Sequence, residues 1–148
     1  MTTATQPKTE KRQHSSNLIK ELKTERHEVW KMYCRIAELG PFSANQKVRD
    51  KLIEFSQLLV DYVALGHFGI YERLLAGNER RSAVLSLAEK LYPDLSKTTD
   101  AAIAFNDKYE NITQELIKDE LQQDLSILGE SLALRINLED SLCDMLLR

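Results

Sequence analysis

Apolar residues recur at steps of three and four along nearly the whole chain and nowhere alternate with period two over any length. That pattern admits helices with one buried face and argues against a β-sheet. From Asn17, the row Leu18, Leu22, Val29, Met32, Ile36, Leu39 and a second row of Ile19, Trp30, Tyr33, Ala37 predict a first helix of about six turns, ended by Gly40-Pro41. Ser43 with Gln46 has the spacing of a capping box. It opens a second helix through Leu52, Phe55, Leu59, Val63, Ile70 and Leu74, stopped at Gly77-Asn78. A short helix from Glu79 is expected to end near Leu91, because the residue before Pro93 avoids helical geometry. Leu95, Thr98, Ala102, Phe105, Tyr109, Ile112 and Leu116 then follow strict three-four steps, the clearest heptad in the chain. Asp119 and Gln122 give a weaker start signal for a last helix carrying Leu121, Leu125, Leu128, Leu132, Ile136, Cys143 and Leu146 on one face. The expected fold is all-α: a single-domain four-helix bundle of long helices with a kinked or broken third helix, residues 17–148, behind a flexible polar tail of residues 1–16.

A chain of 148 residues buries roughly 70% of its unfolded surface, so a core needs no covalent staples. Cys34 and Cys143 stand in no metal or redox spacing and read as reduced packing residues. The N-terminus lacks the apolar stretch of a signal peptide, and no run reaches the ~18 apolar residues of a membrane span. The expectation is a cytoplasmic protein with no membrane contact. A net charge of −3 does not suit direct nucleic-acid binding, which calls for a basic face. The distribution is uneven: residues 1–31 hold seven Lys/Arg against four Glu, while residues 119–148 hold seven Asp/Glu against Arg135 and Arg148. An acidic last helix suits either a basic first helix beside it or a basic partner.

Catalytic patterns are missing. A di-iron bundle needs Glu-x-x-His pairs; none occurs, and neither does a nucleophile elbow or a phosphate loop. His14 falls in the tail, His27 between Arg26 and Glu28, and His67 within an apolar stretch; Asn111-Ile112-Thr113 is a chance match to a glycosylation acceptor. No metal or other cofactor is expected. A binding module is the first hypothesis. A metal- or cofactor-dependent helical enzyme using Asp61, His67 and Glu139 is the second, and a self-associating structural bundle is the third. The free protein is expected to be a monomer or weak homodimer.

The stretch LVDYVALGHFGIYERLL, residues 59–75, is apolar on nearly every side. With Asp61 at zero and about 100° per residue, Leu59, Val63, Ile70 and Leu74 cluster on the core side. Leu65, Phe68 and Glu72 fall around Asp61 on the opposite side. Such a face is either a recognition surface, suited to a partner both apolar and basic, or is covered by the segment at 79–91. His67 lies at the edge of the core with Tyr71 four residues on. Gly66 and Gly69, which weaken a helix by about 1 kcal/mol each, allow a close approach. In the last helix Glu139 stands in line with leucines, one turn after Arg135. Burial there requires a pair with Arg135, or a network reaching Arg26 or His67.

Residues 59–75, with ERHEVWKMY near the start and LGESLALRINLEDSL near the end, resemble the regulator of sigma D (Rsd/AlgQ) family of bacterial anti-sigma factors. The D-Y-x-x-x-G-H-F-x-x-Y-E pattern carries the likeness. The resemblance implies a helical protein that binds region 4 of the primary sigma factor and sequesters it from core RNA polymerase and −35 promoter DNA. It places Asp61, Tyr62 and Phe68 among the partner contacts, to which the helical wheel adds Leu65 and Glu72. Relatives have Ser-Ala where this chain has Ala64-Leu65, so a hydroxyl is missing there and a bulkier side chain is present.

Overall fold

The computed structural model describes residues 7–42 and 46–148. Four helices form an antiparallel bundle in which α1 (Pro7–Ala37) packs on α2 (Gln46–Ala64), α2 on α3 (Ser82–Lys108), α3 on α4 (Leu121–Leu146), and α4 back on α1. No strand occurs among the described residues.

The first helix starts ten residues before Asn17. Pro7 occupies its first position, where a missing N–H costs nothing, and Lys8, Glu10, Lys11, Arg12 and Gln13 favour helix intrinsically. Periodicity misses this part because periodicity reports burial, and among the side chains described the first buried one is Ile19. Of the expected tail, residues 1–6 lie outside the described residues, as does Ser43 of the expected capping box.

The irregularity of the bundle is in the second helix rather than the third. After Ala64, α2 continues through two π-helical segments, Leu65–Tyr71 and Leu74–Asn78, and stops at Gly77, whose φ of 91° suits glycine. The third helix is not broken at Pro93; it runs through it. Proline removes one backbone hydrogen bond, the one to the carbonyl of Glu89. Both residues lie on the exposed side, where water can satisfy that carbonyl, while Val84, Ala88, Leu95, Ala102 and Phe105 are buried on either side of the proline. The boundary between the third and fourth helices also differs from the heptad reading. The third ends at Lys108, and Ile112 and Leu116 belong to the turn and to a π-helical turn, Leu116–Glu120, that leads into α4. The Thr113 hydroxyl accepts the backbone N–H of Leu116, so Thr113 caps the start rather than Asp119. Two antiparallel helices both turn apolar residues inward, so the three-four pattern survives a turn that it cannot reveal.

The core is continuous from end to end. Leu22, Ile36, Leu52, Phe55, Leu59 and Leu142 are fully enclosed. Phe55 meets Phe105 edge-on at 5.8 Å, and the Tyr33 ring lies 6.2 Å from Phe55. Tyr33 packs over Gly129, where a Cβ would meet its hydroxyl oxygen at 2.2 Å. Its hydroxyl donates to the Leu125 carbonyl at 2.7 Å, tying α1 to α4. The basic first helix does sit beside the acidic last one, with Arg26 donating to Asp140 at 2.9 Å. Cys143 is buried as expected, with its thiol pushed up to about 12 by burial and then by Glu139, whereas Cys34 is exposed.

Candidate functional site

A buried polar cluster crosses the middle of the bundle. Arg135 and Glu139, one turn apart on α4, are both 0% exposed. The Arg135 Nε donates to Glu139 Oε2 at 3.0 Å. The same carboxylate accepts the hydroxyl of Tyr71 at 2.6 Å, that of Tyr62, and a longer bond of 3.5 Å from Arg26. The other end of the guanidinium reaches α3 and α2. Nη1 donates to Thr99 at 2.7 Å and Thr98 at 3.1 Å, and Nη2 to the Val63 carbonyl at 3.4 Å. Its plane also lies over the rings of Tyr62 and Tyr71, 5.2 and 5.7 Å from their centroids. A lone ion in this position would be costly; here both charges are paired and hydrogen-bonded on every helix. Burial, and then the Glu139 carboxylate, hold both tyrosine hydroxyls well above the ordinary phenol range, so they remain donors.

Gly66 makes this arrangement possible. A Cβ there would stand 2.9 Å from Arg135 Nη2 and 3.1 Å from Tyr71 Cε2. Gly69 has no such role, since its nearest neighbour is Leu65 of its own helix at 3.3 Å.

Asp61, Phe68 and Glu72 are exposed on the opposite side of the same helix, with Leu65 half-buried among them, and Phe68 is 63% exposed. The segment at 79–91 does not cover this face. His67 stands at its edge, its ring edge-on to Phe68 at 4.9 Å and 5.8 Å from Tyr92 of α3, with Nε2 3.6 Å from the Glu72 carboxylate. Across the α1 side, burial first and then Glu21 and Asp61 raise the carboxyl of Glu25 above its usual range, and Glu25 Oε2 finds no hydrogen-bond partner.

The expected residues therefore divide differently. Arg26, Tyr71, Arg135 and Glu139 come together in the network; His67 does not reach it and belongs to the outer face. Tyr62, expected as a surface contact, is 0% exposed and sits in the network instead. Sequence reasoning missed Thr98, Thr99 and Asp140. The two adjacent threonines inside a buried heptad were the available signal. Asp61 lies outside and Glu139 inside, so the three groups of the enzyme alternative do not converge. Among the described residues no group of three or more His, Cys, Asp or Glu side chains is placed to hold a metal, and no helix is long and apolar enough to cross a membrane.

Comparison with known proteins gives the geometry a context. The family described as "Regulator of RNA polymerase sigma(70) subunit, Rsd/AlgQ" matches residues 1–147. A Yersinia enterocolitica protein named "Regulator of sigma D" is 37% identical over 134 residues, covering 86% of this chain and 79% of that one. A Yersinia pestis protein of the same name is 36% identical over 134 residues, 86% and 78% of the two chains. One from an Enterobacter species is 42% identical over 99 residues, 66% of this chain and 58% of its own. No solved structure gives a significant match. With the family profile spanning all but the last residue and the helices in place to support it, the chain belongs to the Rsd/AlgQ family of regulators of the RNA polymerase sigma(70) subunit.

Proposed function

We propose that this protein is an anti-sigma factor that binds region 4 of the primary sigma factor in the cytoplasm. It thereby withholds sigma from core RNA polymerase and from −35 promoter DNA, leaving polymerase to alternative sigma factors. Family membership supports a sigma-directed role. The observation that carries the mechanism is the open Phe68 face, an aromatic side chain standing 63% exposed beside the carboxylates of Asp61 and Glu72. A promoter-reading helix-turn-helix carries arginines and lysines for DNA phosphates. Asp61 and Glu72, extended on α1 by Glu21 and Glu25, take up those cations while Phe68 and Leu65 enter an apolar groove. The protein acts by occupancy, without chemistry and without touching DNA, and is a monomer or weak homodimer when free. Tyr62 supports the turn from within rather than touching the partner.

Titration calorimetry with isolated region 4 tests this. A complex is expected whose affinity falls as salt rises, through a slower association. Phe68→Ala and Asp61→Arg should each weaken it with helicity unchanged by circular dichroism. Wild-type affinity in both variants would move the interface off this face, and no complex with wild-type protein would refute the function.

A further inference from the structure

We infer that the partner surface does not end at the π-helical turn but continues down the seam between α2 and α3, a groove fitted to one basic amphipathic helix. The inference rests on the anti-sigma reading and specifies its footprint. Two aromatic contacts fix the seam: His67 on Tyr92, with centroids 5.8 Å apart, and Phe55 on Phe105, also 5.8 Å apart. The helices run antiparallel, so Gln57 lies level with Ile103, and Ile53 level with Asp107. On α2, residues 53, 60 and 67 recur at sevens, which puts Ile53 and Val60 on the edge that His67 occupies. On α3, residues 92, 96, 99, 103 and 106 recur at fours and threes, which puts Ile103 on the edge of Tyr92.

These edges are left partly open. Ile53 is 53% exposed and Ile103 43%, while Val60, Ala64, Tyr92 and Ser96 are half-buried. Between the rows Ser56, only 9% exposed, has a hydroxyl that makes no hydrogen bond within the protein. Carboxylates flank the groove on both sides: Asp50 on α2, Asp100 and Asp107 on α3, all exposed. Arg49 and Lys97 are the nearby cations, and Lys97 already lies 3.9 Å from Asp94. An apolar floor between acidic rims selects an apolar helix with lysine or arginine flanks. A second copy of this chain, presenting the same face, would set acid against acid. From Ile53 to Phe68 the groove runs about 22 Å, or about four turns of a bound helix.

The test is calorimetry with isolated region 4 against four purified proteins: wild type, Phe68→Ala, the double variant Ile53→Ala/Ile103→Ala, and Leu134→Ala. Leu134 is a control on α4, 46% exposed and away from the seam. The double variant should lose about tenfold in affinity, the scale of truncated anchors at an interface, with an unchanged melting temperature, and Leu134→Ala should bind as wild type. If Phe68→Ala weakens binding while the double variant binds as wild type, the seam is not part of the footprint although the anti-sigma reading stands. A loss as large in Leu134→Ala would also overturn the assignment to this seam. If wild-type protein forms no complex, both readings fail together.

Discussion

Residues 61 to 72 carry two regions of opposite character on one helix. Asp61 and Tyr62 are sequence neighbours, as are Tyr71 and Glu72, yet the tyrosines are sealed against Glu139 and the carboxylates stand in solvent. The inner region is polar and hydrogen-bonded throughout; the outer is apolar at its centre, with Glu72 held among the described residues by His67 alone, at 3.6 Å. Polarity alone therefore does not tell structure from recognition here. What separates the two regions is burial: Glu139 and the two tyrosines are sealed between helices, whereas Asp61, Phe68 and Glu72 stand in solvent.

That contrast can be broken by substitution. Glu139→Leu should have the largest effect, because it leaves Arg135 buried without its counter-ion. A loss of about 3–5 kcal/mol is expected, read as a large fall in urea midpoint or in melting temperature. Gly66→Ala should follow at about 1–3 kcal/mol, since its methyl must displace the Arg135 guanidinium or the Tyr71 ring. Phe68→Ala should change stability by less than about 0.5 kcal/mol, as exposed sites do, while weakening sigma binding. A destabilisation of the Glu139→Leu size would mean that the two regions are not separate. Glu25→Gln should have the smallest effect and the opposite sign. The folded-state pKa of Glu25 lies above the unfolded value, so its contribution is favourable when protonated, below the ordinary value of 4.5, and is lost as pH rises through the folded value. The glutamine variant should therefore melt slightly higher than wild type at pH 7 and no higher at pH 4.

Much of this was legible in the sequence, and what was hidden has physical reasons. Four helices followed from three-four spacing, and the Arg135–Glu139 pair from a carboxylate standing in a row of leucines, since such a carboxylate must be paired. Tyr62 was not legible, because at about 100° from Asp61 on a helical wheel it sits at the border between faces. Only the reach of its hydroxyl to Glu139 decides the matter. Pro93 misled because a proline on a solvent-facing side costs a helix little when both flanks are buried. The π-helical turn at Leu65–Tyr71 leaves no periodic trace, since apolar residues stand on nearly all its sides, and the glycines that mark the place suit several backbone geometries.

A π-helical ring closes over one residue more than an α-helical ring. Leu65–Tyr71 is thus a stretch in which the chain carries surplus length inside a helix. Its consequence is for comparing relatives: a one-residue gap is accommodated here, by tightening π to α, at less cost than in the straight run of α4, where it would rotate Glu139 out of line with Arg135. Alignments that force every gap into the loops will misassign the outward residues of this helix, Phe68 first among them.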